Sequence, residues 1–230
     1  MTTLLVLGSK PEPILPGSAA YDEVACANAS GRSARRHGLP IPRFTVVSAI
    51  VTSGRKPAND LAVEALRGLQ TGRLVIYPRP RPRGPMVDRA LKYLRNYRVN
   101  PQYVRWKLRR IGYEFGEFAA PSPEFFRRTF ETLCEHDPEL IGLMRKKQPS
   151  TGLATLALGI VAGGYSRFIL AGFSFEITHD YARNPLVDER GPVSAHAETD
   201  QAILRHLSRR LGTIFTTEPA VHEATGVPYL

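Results

Sequence analysis

The sequence predicts an α/β fold: a Rossmann-like, mostly parallel sheet with helices on both faces, an inserted basic helical region and a lid loop. Three observations carry that reading. The strand candidates of the N-terminal half are apolar throughout, as strands covered on both faces must be. Segments of helical period lie between them. The chain has 230 residues, 43% of them hydrophobic and 23% charged, enough to bury a substantial core in one domain.

Leu4–Leu7 is a short apolar strand that stops at Gly8. Glu23–Asn28 reads as a second strand and Phe44–Ile50, rich in β-branched residues, as a third. Asn59–Leu69 has helical periodicity, and Arg73–Tyr77 is a fourth strand. The next stretch reads as helical, over Val87–Tyr97, Pro101–Arg110, Pro123–Glu135 and Glu139–Lys147. Ser150-Thr151-Gly152 then opens an apolar helix over 153–162, which Gly163-Gly164 closes. Arg167–Gly172 is a strand and Ala197–Leu211 a helix, with a last strand at Thr213–Thr216. Between them Phe173–Ala195 is polar and long enough for a lid. One domain over 1–230 is expected, with 78–147 as a basic helical insert and 173–195 as the lid loop.

The charge is concentrated. The chain carries 31 Lys and Arg against 21 Asp and Glu, a net +10. Residues 73–110 hold 12 of the cations and one acid, Asp88, a balance of +11, so the remaining residues sum to −1. The tract Pro78-Arg79-Pro80-Arg81-Pro82-Arg83-Gly84-Pro85 must be extended, because each proline disfavours helix in the residue before it. Beyond it arginines interleave with Tyr93, Tyr103 and Trp106. Such a segment suits a solvated helical face, a nucleic-acid contact or an anionic lipid or acceptor. No nucleic-acid motif accompanies it, and the third reading is preferred.

Two cysteines, Cys26 and Cys134, lie among apolar residues and are expected as buried free thiols in a reducing cytoplasm. The N-terminus lacks a basic leader. The longest apolar run, 153–162, falls short of the roughly 20 residues a spanning helix needs.

Open parallel sheets bind ligands beyond the carboxyl ends of their strands. That rule groups Gly8-Ser9-Lys10, Asn28, Ser48 and the loop after Gly172 on one rim. The first turn has no G-x-G-x-x-G, and no G-x-x-x-x-G-K-[ST] occurs anywhere. Gly8 with Lys10 suits either an ordinary tight turn or close backbone approach to a nucleotide. Ser150 or Thr151 would cap the helix that follows, leaving N–H groups at its positive end, as a plain N-cap or as an anion site. His196 opens another helix, where a neutral imidazole can accept a proton. His179-Asp180 is read as loop.

Pro149-Ser150-Thr151-Gly152, an apolar helix, a strand ending in Gly172-Phe173 and His196 a lid's length later resemble, in that order, the sialyltransferases. The first part is similar to the small sialylmotif of glycosyltransferase family 29. The whole layout resembles bacterial family 42, with Leu170-Ala171-Gly172 at the strand end and Val24–Asn28 similar to the strand that delivers a nucleotide-contacting asparagine. The resemblance covers residues 3–50 and 148–216. It implies a CMP-activated acidic sugar as donor, no cofactor and no metal, and a glycan or glycolipid acceptor. It implies that Gly8, Ser9, Lys10 and Asn28 hold CMP, with Ser48, Gly172 and Phe173 in the same nucleotide-sugar site. Ser150, Thr151 and Gly152 would hold the sugar carboxylate. His196 would be the general base of an inverting transfer, and Tyr181 would stabilise the departing phosphate. The first turn, Ser48 and Glu176 depart from the family pattern, which leaves the related donor CMP-Kdo open. It also leaves open a basic nucleic-acid- or lipid-binding protein on an inactive transferase scaffold. The expected setting is the cytoplasmic face of the inner membrane, where lipopolysaccharide or another bacterial surface polysaccharide is built. Residues 79–110 would lie against anionic lipid there.

Overall fold

The computed structural model describes residues 2–54, 57–78, 97–177 and 193–230. Seven strands form one sheet: β1 Thr3–Leu7, β2 Glu23–Ala27, β3 Phe44–Ser48, β4 Gln70–Tyr77, β5 Glu114–Ala119, β6 Arg167–Ala171 and β7 Ile214–Thr216, in the order β5-β4-β3-β2-β1-β6-β7. Every neighbouring pair is parallel, so the sheet is parallel throughout. The helices are α1 Gly31–Arg36, α2 Pro57–Ala65, α3 Pro101–Arg110, α4 Pro123–Leu133, α5 Pro138–Lys146, α6 Thr151–Ala162, α7 Ala197–Leu211 and α8 Pro219–Thr225.

Period-2 alternation divides the strands between two cores. Leu4 and Val6 of β1 and Phe168 and Leu170 of β6 point to one face, where Phe126 and Phe130 of α4, Leu153 and Leu156 of α6 and Ile203 and Leu207 of α7 cover them. Leu5, Leu7, Ile169 and Ala171 point to the other face, toward Ala34 of α1. On that second face Leu66, just past the end of α2, and Val104 and Leu108 of α3 cover Val47, Leu74 and Ile76. All five residues of β1 are buried, which is why it reads as an unbroken apolar run. Cys26 and Cys134 are buried free thiols, and burial pushes the Cys26 thiol up to about 12.

One element departs from expectation. Residues 78–147 are not helical throughout, because 114–119 pair with β4 as the edge strand β5. Two glutamates and a glycine in six residues hide that strand in the sequence, and its exposed edge position tolerates them. Glu114 accepts from Gln70 Nε2 at 2.9 Å and Glu117 pairs with Arg73, while Arg109 and Arg105 lie over the rings of Phe115 and Phe118. The expected helix Val87–Tyr97 and most of the arginine–proline tract lie outside the described residues, apart from Tyr97 in a short 3-10 turn, 97–99.

Strand order reverses between β1 and β6: β2 to β5 continue on one side of β1, and the chain returns to place β6 and β7 on the other. This is the switch point at which open α/β sheets leave a crevice.

Candidate active site at the sheet switch point

The crevice is built first of backbone. Gly8 N–H donates to Ala171 O at 2.8 Å and Lys10 N–H to Gly172 O at 2.9 Å, so the turns after β1 and β6 are tied together. A Cβ on Gly8 would stand 2.2 Å from the Gly172 carbonyl oxygen, and Gly172 has φ +67°. Only glycine fits this crossing. Glu218, 1% exposed, secures it from below: Oε1 accepts from Gly172 N–H at 2.8 Å and Ile14 N–H at 3.0 Å, while the carboxylate pairs with Lys10. Glu218 belongs to no motif, and only its burial in the fold marks it as part of the site.

From β2 comes Asn28, in the left-handed region at φ +50°. Its Oδ1 accepts from Ser48 N–H at 2.9 Å, which leaves the amide NH2 without an acceptor among the described residues. Ser30 behind it ties the strand ends together, accepting from Ala27 N–H at 3.0 Å and donating to Leu7 O at 2.8 Å. Ser48 itself does not line the cavity; its backbone orients Asn28.

From the opposite wall comes the start of α6. Ser150 Oγ accepts from Leu153 N–H at 3.2 Å, the N-cap bond expected of a serine there. The N–H groups of Thr151 and Gly152 remain without acceptors among the described residues, at the positive end of the helix. Gly152 is needed for a different reason: a Cβ there would meet the Phe173 ring at 3.0 Å.

His196 is the N-cap residue of α7. Its Nδ1 lies 2.7 Å from Gln148 O. A carbonyl oxygen only accepts, so Nδ1 carries the proton and the neutral ring has its lone pair on Nε2. Burial holds the imidazole below the usual histidine range, against the opposing effect of the Gln148 bond, and nearby Lys147 adds to the lowering. This is the protonation state and tautomer a general base requires. Tyr77 fixes the same segment from β4, donating to Pro149 O at 3.0 Å.

These walls enclose a cavity of about 200 Å³ lined by Gly8, Ser9, Lys10, Asn28, Ser150, Thr151, Gly152, Gly172, Phe173 and His196. Ten expected site residues thus converge, from segments that begin as far apart in sequence as Gly8 and His196. Glu176 and Ser194 also line it, and an antiparallel bridge between Glu176 and Val193 brings the two ends of the lid loop together. Tyr181 lies outside the described residues. Asp200, also unforeseen, lines the cavity from α7. Among the described residues no cluster of three or more metal-ligating side chains occurs.

No family model matches this chain, and no curated protein matches it in sequence. Solved structures do match in fold. The chain superposes on the sialyltransferase CstII of Campylobacter jejuni in complex with the substrate analogue CMP-3FNeuAc, with 14% identity and TM-score 0.53 over 100% of this chain and 86% of that one. It superposes likewise on Cst-II in complex with a trisaccharide acceptor and CMP, with 11% identity and TM-score 0.52 over 98% and 86%. The monofunctional alpha-2,3-sialyltransferase Cst-I of C. jejuni gives 13% identity and TM-score 0.52 over 100% and 80%. At these identities the likeness is one of fold.

Proposed function

We propose that the protein is a glycosyltransferase of sialyltransferase type, moving sialic acid or a related acidic sugar such as Kdo from a CMP donor to a glycan or glycolipid acceptor. The observation that carries this is a histidine with Nδ1 bonded to a carbonyl, in one cavity with a free helix N-terminus. In this reading the Thr151 and Gly152 N–H groups bind the sugar carboxylate. Asn28 and the Gly8–Lys10 turn bind the CMP portion.

The acceptor hydroxyl attacks the anomeric carbon from the face opposite CMP. Its proton passes to His196 Nε2, the new glycosidic bond forms as the bond to phosphate breaks, and the anomeric configuration inverts. The charge that develops on the leaving phosphate is met by oriented N–H groups and Lys10, with Tyr181 assigned to the same task by the family resemblance. No metal enters this scheme. Lys10 works at reduced strength, because Glu218 already balances it.

The exposed side of α3 supports a peripheral membrane setting for this reaction. Trp106 and Tyr97 are half exposed. Arg98 precedes the helix, which carries Arg105, Lys107, Arg109 and Arg110 and no acid. Arg110 and Arg98 cover the Trp106 and Tyr97 rings, so these faces are not open platforms for stacking bases. Amphipathic aromatics between cations suit an anionic lipid interface. The 97–99 turn lies at the carboxyl end of β3, where Thr52 donates to Arg98 O at 2.5 Å, so the start of this face borders the same rim as the site. No helix of the described residues is long and apolar enough to cross a membrane. We assign the acceptor to bacterial surface polysaccharide or lipopolysaccharide assembled at that membrane.

Release of CMP from CMP-sialic acid on addition of glycan acceptors is the direct assay. Acceptor-dependent CMP release is expected. Binding of UDP- or GDP-sugars in preference to CMP donors would replace this reading with another nucleotide-sugar enzyme.

A further inference from the structure

Asp200 joins the two elements that build the site, yet the scheme above gives it no task. It lies one turn into α7 after His196, and it is 9% exposed. Its Oδ1 accepts from Ser150 N–H at 2.9 Å. The carboxyl therefore sits at the start of α6, next to the Thr151 and Gly152 N–H groups, and lines the same cavity. His196 precedes it on its own helix with Lys147 near that imidazole, Tyr77 of β4 is close enough to feel its charge, and Lys10 and Glu176 line the same cavity. Among the described residues it forms no ion pair. Lys10, a cation that lines the cavity, is held by Glu218.

We propose that Asp200 is a proton-linked positioning residue: the acidic donor binds with Asp200 in its carboxylic acid form, one oxygen holding Ser150 and the other donating its O–H toward the donor's anion. This rests on reading the cavity as the site of an acidic-sugar donor. The reason is electrostatic. A sugar carboxylate on Thr151 and Gly152 brings a second carboxyl group to the helix end that Asp200 already occupies through Ser150. Two carboxylates in one water-poor site are not ionised together without a large penalty, so one takes a proton. The carboxyl on an anomeric carbon, flanked by two oxygens, is the stronger acid. The proton, drawn from solvent, goes to Asp200.

The unliganded protein is poised for this. Burial outweighs the Ser150 hydrogen bonds and pushes the Asp200 carboxyl up to about 6. Near neutral pH it is mostly ionised before the donor arrives and protonated afterwards. Donor affinity then falls as pH rises, by about tenfold per pH unit above the free-state value. The linkage also acts as a specificity filter, since a neutral sugar gains nothing from the acid form.

The test is calorimetric titration with CMP-3FNeuAc, whose phosphodiester does not itself titrate near neutrality. It is run at about pH 7.5 in two buffers of different ionisation enthalpy, with uptake of about one proton per ligand expected. Asp200→Asn keeps an acceptor for Ser150 N–H and should bind with no uptake and with affinity independent of pH. Binding by the unmodified protein without proton uptake overturns the proposal, whatever the stability of the variants. So does uptake that survives in D200N and disappears in His196→Gln, which would assign the proton to the imidazole. Absence of binding across the pH range overturns the donor reading itself, and the proposal with it.

Discussion

At the β1–β6 crossing a methyl group on Gly8 would stand 2.2 Å from a carbonyl oxygen, while on the α3 flank Trp106 is 50% exposed among cations. The crevice is made of backbone turns, helix starts and acids held from within, with Glu218 paired to Lys10 and Asp200 held by the Ser150 N–H. The flank is made of long side chains over a thin apolar seam of Val104 and Leu108. One region sets geometry and the other presents charge. The +10 net charge thus reports on the flank and is nearly silent about the site, where the proposed chemistry rests on N–H groups and one imidazole.

The contrast can be broken by substitutions on either side. His196→Ala removes the proposed base and should lower kcat by about 10²–10⁴-fold with the fold retained, as checked by steady-state CMP release and circular dichroism. Full activity in that variant would remove His196 from the mechanism. Gly8→Ala forces the two turns apart and should cost about 1–3 kcal/mol in urea unfolding, together with donor binding.

Asp200→Asn should stabilise the protein above pH 6. The folded-state carboxyl is raised to about 6. Its contribution is therefore fully present below the unfolded value near 3.8 and is lost as pH rises through about 6. Melting temperature against pH should fall across that window in the unmodified protein and stay flatter in D200N. His196 acts in the opposite sense: its depressed folded-state value gives stability that is present above the ordinary histidine range and lost on acidification. Ser150→Ala deletes a cap and should cost about 1 kcal/mol in the same unfolding assay. Trp106→Ala should change stability by less than about 0.5 kcal/mol and leave turnover on a soluble acceptor unchanged. It should weaken sedimentation with vesicles containing anionic lipid; unaltered vesicle binding would separate the flank from the membrane.

Legibility differed between the two regions for physical reasons. The strands that frame the crevice are buried on both faces, so their residues are apolar in sequence as well as in space. β5 leaves little mark in the sequence because an edge strand carries its polar residues outward, and Glu114-Phe115-Gly116-Glu117 has little strand character of its own. Ser150 and His196 announce themselves as helix starts. Glu218 and Asp200 do not, since an acid at a helix N-cap or in a first turn is ordinary and only its burial makes it notable.

The sequence by itself determined the α/β class, the run of elements around the crevice, the confinement of the net positive charge to 73–110 and the identity of ten residues that line the cavity. Those follow from local pattern, where burial and capping leave a mark on residue type. The tertiary structure alone decided that Gly8 and Gly172 cross in contact, that Lys10 is spoken for by Glu218, that Ser48 serves Asn28 through its backbone, and that Asp200 shares a helix end with Ser150. Each of these is a pairing between residues about 20 to over 200 positions apart, fixed by strand order and not by any local preference of the chain.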